Sequence, residues 1–124
     1  MSNSITVSIG SNSADRAAQV ARCLAWLQST LNGCRQSGVY ATAALNGHGG
    51  DYMNAVASGE CACSLAALNE QFKSYERQCG RDADCRASGI VPIDLDIVVW
   101  NGEVVRPADY AQQYFQKGWH QICG

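Results

Sequence analysis

The stretch Ile93-Asp94-Leu95-Asp96-Ile97-Val98-Val99-Trp100 limits the fold more than any other part of the chain. Its first five residues alternate apolar and acidic. Side chains alternate across a strand, so Ile93, Leu95 and Ile97 point one way and Asp94 and Asp96 the other. The two carboxylates then lie about 7 Å apart on one face. Like charges this close repel, so either one pKa rises or a cation joins them. Mg2+ suits such oxygen-only ligands. A solvated pair on an open sheet face is the alternative, and this stretch alone leaves both readings standing.

The residues before it supply partners for such a strand. Ile5-Thr6-Val7-Ser8-Ile9 alternates cleanly and predicts a half-buried strand, followed by a turn at Gly10-Ser11-Asn12-Ser13 with Ser13 as N-cap. Ala17, Val20, Ala21, Leu24, Leu27 and Leu31 recur at helical spacing and predict a helix from about Ala14 to Leu31. The turn lacks both the dinucleotide glycine fingerprint and the Walker lysine, so it is read as a tight turn. Arg35 to Ala41 predicts a second strand interrupted by Gly38. The small-residue loop 42–50 follows, with His48 in it, and Tyr52 to Glu60 predicts a third strand. There Met53, Ala55 and Ala57 face one side, and Tyr52 and Asn54 the other. Ser64 can cap a second helix, with Leu65, Leu68, Phe72, Tyr75 and Cys79 as its stripe and Gly80 closing it. Glu76 sits near that helix's end, where a carboxylate opposes the dipole.

The predicted order is β-α-β-β-α-β, an α+β, ferredoxin-like arrangement: an antiparallel sheet with both helices on one face. The three alternating patterns agree on one apolar face. They leave Tyr52, Asn54, Asp94 and Asp96 together on the opposite, open face, which marks that face as the candidate site.

The 124 residues fit one domain over 1–124, and the formal charge of −2 gives no basis for a nucleic-acid or acidic-membrane partner. No apolar run approaches a membrane span, and no export signal precedes the first strand, so the expected location is cytoplasmic. The 7 cysteines include no Cys-x-x-Cys spacing, and only His48 and His120 accompany them, which gives zinc little support. They are read as mostly small buried hydrophobes. An EF-hand beginning at Asp82 fails, because Ala87 and Ile93 occupy the positions that require Gly and Glu.

Several segments in this order resemble the 6-hydroxymethyl-7,8-dihydropterin pyrophosphokinases of folate biosynthesis. They are Ile9-Gly10-Ser11-Asn12, Tyr40-x-Thr42, Asp51-Tyr52-Met53-Asn54-Ala55, Glu76-x-x-x-Gly80-Arg81 and Asp94-Leu95-Asp96-Ile97. The resemblance spans roughly residues 5 to 110, with the Asp-Leu-Asp and Asp-Tyr-x-Asn segments its most specific parts. It implies a ferredoxin-like fold and transfer of pyrophosphate from ATP to the pterin hydroxymethyl group, releasing AMP. It further implies that Asp94 and Asp96 hold two Mg2+ ions. Thr42, Ala43 and Leu45 would line the pterin pocket, Asn54 would bond the pterin edge, Tyr52 would stack on it, and Phe115 is the candidate for a second stacking ring. Glu76, Arg81 and Arg86 would lie on the nucleotide side, with Arg81 meeting phosphate. The chain departs from the family pattern at Val91, where the family carries an arginine, and at Pro107-Ala108-Asp109-Tyr110, where it carries Pro-His-Tyr. An active pyrophosphokinase, a paralogue that binds pterin or nucleotide without turnover, and a ferredoxin-like interaction module all remain open at this point.

Overall fold

A computed structural model describes residues 2–43, 51–81 and 88–123 of the chain. The elements are β1 (Asn3–Ser11), α1 (Arg16–Thr30), β2 (Asn32–Gln36), β3 (Tyr40–Thr42), β4 (Tyr52–Cys61), α2 (Leu65–Gln78), β5 (Asp94–Trp100), β6 (Glu103–Val104), α3 (Pro107–Tyr110) and α4 (Gln113–Cys123). The strands form one sheet in the order β2-β4-β1-β5-β6, with β3 also paired to β4, and every pairing is antiparallel. This is the α+β, ferredoxin-like architecture expected from the alternating patterns.

The apolar face falls where period two puts it. Ile5, Val7 and Ile9, Ala55 and Ala57, and Ile93, Leu95 and Ile97 pack against Val20, Leu24 and Leu27 of α1 and Leu68 and Phe72 of α2. The α1 stripe is rotated slightly from the expected one: Cys23 is buried, while Ala17 and Ala21 face solvent. The helix begins after Asp15, and Ser13 does not cap it; its hydroxyl donates to Asp15 Oδ1 at 2.7 Å. Ser64 does cap α2, accepting from the Ala67 N–H at 3.1 Å.

The structure departs from the sequence reading in three further places. Gly10 and Ser11 belong to β1 and are not a turn. The strand expected over 35–41 is two short strands, broken at Ser37-Gly38-Val39. Ser37 patches the break: its N–H donates to the Val56 carbonyl and its Oγ accepts from the Val56 N–H, each at 2.8 Å. The third difference concerns the face expected to be open. Part of it is covered by α4, whose Phe115 and Ile122 form a second core with Val56, Val98 and Val99. Gly118 permits that approach, since a Cβ there would lie 2.5 Å from Val56 Cγ2 and 2.7 Å from the Tyr40 hydroxyl. Tyr40 fastens the same helix by donating to the Tyr114 carbonyl at 2.5 Å and accepting from the Gly118 N–H at 3.0 Å.

Six free thiols are described. Cys23 and Cys61 are buried, whereas Cys123 is exposed, so the reading of the cysteines as core residues holds for only some of them. Among the described residues no helix is long and apolar enough to cross a membrane.

Candidate active site

The part of the sheet that α4 leaves free is the end carrying Gly10. In the ladder Gly10 pairs with Asn54 on one side and Asp94 on the other. Cross-strand partners point to the same face, so Asn54 and Asp94 flank Gly10 at two strand spacings, about 10 Å apart. A Cβ on Gly10 would lie 2.9 Å from Asn54 Oδ1 and 3.5 Å from Tyr52 Cδ2. The missing side chain therefore leaves a floor between a polar-aromatic wall and an acidic wall.

The first wall is made by β3 and β4. Thr42 pairs with Tyr52, and Tyr40 with Asn54. Asn54 is buried and donates through Nδ2 to Thr42 Oγ1 at 2.5 Å, which turns its Oδ1 towards the floor. Tyr52 is half-buried; burial raises its phenol pKa, the charge of Asp94 adds to that, and Arg81 opposes it. Ala43 is exposed beside this wall. Leu45, Arg86 and His48 lie outside the described residues.

The second wall is β5. Its first half pairs with β1 on one edge, while β6 pairs only with Val99 and Trp100 on the other. The end of α2 covers the remaining edge. Glu76, only 4% exposed, accepts from the Leu95 N–H at 2.8 Å and from Arg81 at 3.0 Å, both through Oε2, and its Oε1 is 3.2 Å from Lys73 Nζ. Arg81 also donates to Asp94 Oδ1 at 2.9 Å and to the Ile93 carbonyl at 3.3 Å. Asp94 is the more open carboxylate, and Asp96 is nearly buried. Two cations reach Asp96 Oδ1: Lys73 at 3.4 Å and Arg106 at 3.9 Å. Burial and the neighbouring Asp94 raise the Asp96 pKa to about 7 despite those cations.

Ligand atoms of Glu76, Asp94 and Asp96 can all lie within 4.8 Å of one another. This oxygen-only set suits a hard divalent cation. Both oxygens of the nearly buried Glu76 are held by Leu95, Arg81 and Lys73, while Asp94 and Asp96 are ion-paired through Oδ1, to Arg81 and to Lys73 and Arg106, so an ion bound there would exchange with those cations.

The structure thus brings Thr42, Tyr52, Asn54, Arg81, Asp94 and Asp96 to one end of one face, with Glu76 behind them. It places Phe115 elsewhere. That ring is fully buried between Tyr110 and Trp119, with both centroids 5.7 Å away, and it offers no free face for stacking a ligand. The cause is the amphipathic spacing of Phe115, Gly118 and Ile122, which turns them to the sheet. Lys73 and Arg106 were not anticipated at the site. The only sequence signal for Lys73 was its spacing, i−3 from Glu76; Arg106 gave none beyond its place before Pro107. Asn12 is also more than a turn residue. Its Oδ1 accepts from the Val91 N–H, its own N–H donates to the Val91 carbonyl at 3.1 Å, and its Nδ2 donates to the Gly89 carbonyl at 2.9 Å. Val91 is thereby clamped against the end of β1.

The family model described as 7,8-dihydro-6-hydroxymethylpterin-pyrophosphokinase (HPPK) matches residues 6–124. A search among curated proteins found no match. The matched region takes in both walls, the glycine floor and the covering helix, and the chain belongs to the HPPK family.

Proposed function

We propose that the chain transfers pyrophosphate from ATP to 6-hydroxymethyl-7,8-dihydropterin, a step of folate biosynthesis, in the presence of Mg2+. The observation that supports this most is the row Asn54–Gly10–Asp94. It joins a wall suited to a planar, hydrogen-bonding ring to a wall suited to a metal-bound phosphate chain, over a floor without side chains.

On this reading Tyr52 lies against the pterin, Asn54 bonds its edge, and Thr42 fixes which way the Asn54 amide points. Thr42 and Ala43 belong to the pterin side and Arg81 to the nucleotide side; for Leu45 and Arg86, outside the described residues, those roles rest on the family resemblance alone. Asp94 and Asp96 would hold Mg2+, two ions by family expectation, and the metal would supply neutralisation of the phosphate charge. Glu76 keeps the first half of β5 in place and orients Arg81, which can turn from Asp94 to a phosphate oxygen. Most of the protein's contribution to such a transfer is positioning and charge stabilisation, not covalent chemistry.

The test is AMP formation from ATP and the hydroxymethyl pterin with Mg2+, followed over time. AMP dependent on both substrates is the expected result. No AMP above background at high protein concentration overturns it. The aliphatic Val91, clamped where the family carries an arginine, favours a second reading in which binding occurs without turnover. Pterin-induced chemical-shift changes at Tyr52 and Asn54 without AMP would establish that reading.

A further inference from the structure

We infer that Arg106, oriented by Asp109, is a further arginine, beside Arg81, that binds the phosphate chain in this protein, in place of the one missing at Val91. The inference rests on the nucleotide reading above. Arg106 directly precedes α3, and its guanidinium is divided between two carboxylates. Nε donates to Asp109 Oδ2 at 2.5 Å, while NH1 faces Asp96 Oδ1 at 3.9 Å. Asp109 is itself held by the Tyr114 hydroxyl from α4. The head is therefore held at one edge through Nε, and its terminal nitrogen NH1 is presented to the acidic wall. The Arg106 side chain is 49% exposed, which leaves it room to turn to a ligand. A planar fork held this way suits bidentate binding of phosphate.

The local charge balance supports the assignment. Three carboxylates, Glu76, Asp94 and Asp96, face three cations, Lys73, Arg81 and Arg106. A nucleoside triphosphate carrying about four negative charges, with two divalent ions, adds roughly no net charge. The balance survives if partners are exchanged: Asp94 and Asp96 turn to the ions, and Arg106 turns from Asp96 to the phosphates.

The test is calorimetric titration with Mg2+ plus a non-hydrolysable ATP analogue, and separately with Mg2+ plus inorganic triphosphate. The proteins are wild type, R106A, R106K and D109N, with pterin affinity measured on each. R106A is expected to weaken both phosphate ligands at least tenfold and leave pterin affinity unchanged. R106K, which keeps charge without the fork, is expected to recover part of the loss. D109N is expected to weaken binding less than R106A and to add nothing when combined with it. Wild-type affinity in R106A and R106K overturns the role of Arg106 while leaving the pyrophosphokinase reading intact. Failure of the wild type to bind either phosphate ligand overturns both.

Discussion

Glu76 on α2 accepts the Leu95 N–H of β5 at 2.8 Å, so a helix carboxylate completes the hydrogen bonding of a sheet edge. This explains an acid placed against the helix dipole. The carboxylate is held there by Leu95, Arg81 and Lys73, with almost no exposure to water. Replacing Glu76 with Ala leaves the Leu95 N–H without its acceptor and takes from Lys73 and Arg81 one of the two carboxylates each pairs with. Loss of such a buried partner is expected to cost about 2–3 kcal/mol. Glu76→Gln keeps an acceptor oxygen and is expected to lose about half as much. Urea unfolding of both variants checks this, and equal stability of E76A and wild type would refute the edge role.

Gly10→Ala tests the floor. The new Cβ would fall 2.9 Å from Asn54 Oδ1, and the Asn54 amide has little freedom to move because Thr42 fixes its other end. The amide must swing away, and pterin affinity is expected to fall about tenfold, roughly 1.4 kcal/mol. The extended backbone of β1 tolerates alanine, but displacing a buried amide that Thr42 holds is also expected to cost about 1 kcal/mol of stability. Fluorescence titration with the pterin decides the matter. An unchanged affinity would mean that Asn54 does not bind the ligand.

Asp96 makes the metal-free protein sensitive to pH, with a definite sign. Its folded pKa is raised to about 7, chiefly by burial, so the folded state keeps a proton that the unfolded chain releases near the ordinary aspartate value. The resulting stability is fully present below that ordinary value and is lost as pH rises through about 7. Between about pH 5 and pH 8, EDTA-treated protein is expected to lose roughly 2–3 kcal/mol from this group. Asp96→Asn should remove that slope, and millimolar Mg2+ should restore the wild type at the higher pH. Thermal melts of the two proteins across the range give the comparison, and parallel curves would exclude Asp96 as the source.

What could be read in advance was whatever repeats. The alternation of Ile5–Ile9, Tyr52–Ala57 and Ile93–Ile97 fixed the faces of three strands, and Leu68 and Phe72 fixed the inner side of α2. Features that depend on distant parts of the chain gave no pattern. Lys73 and Arg106 converge on Asp96 from opposite sides of the sequence, and charged residues in polar segments look alike until the chain is folded. Phe115 shows the opposite error. Its helical spacing with Gly118 and Ile122 points to the sheet, whereas the family resemblance put it forward as a second stacking ring, and packing on Val56 takes precedence. Glycine and serine favour turns, so Gly10-Ser11 reads as one, whereas β1 continues through both.

Gly118 links the covering helix to the site. A methyl group there would meet Val56 Cγ2 at 2.5 Å, the Tyr40 hydroxyl at 2.7 Å and Val56 Cβ at 2.8 Å. Tyr40 cannot yield easily, because its hydroxyl holds both the Tyr114 carbonyl and the Gly118 N–H. Alanine favours a helix by about 1 kcal/mol over glycine, but overpacking a fitted contact costs about 1–3 kcal/mol, and three close contacts place this site at the upper end. Gly118→Ala is therefore expected to lower stability, with α4 lifted from the sheet. The same helix carries Tyr114, whose hydroxyl holds Asp109, the partner of Arg106. Lifting it should weaken Mg2+-nucleotide binding more than pterin binding, because Tyr52 and Asn54 are held by β3 and β4. A thermal melt together with the two titrations reads both effects. A variant that melts at or above wild type would show that close packing at Gly118 does not hold the helix, and equal losses for both ligands would show that the helix does not act through Arg106.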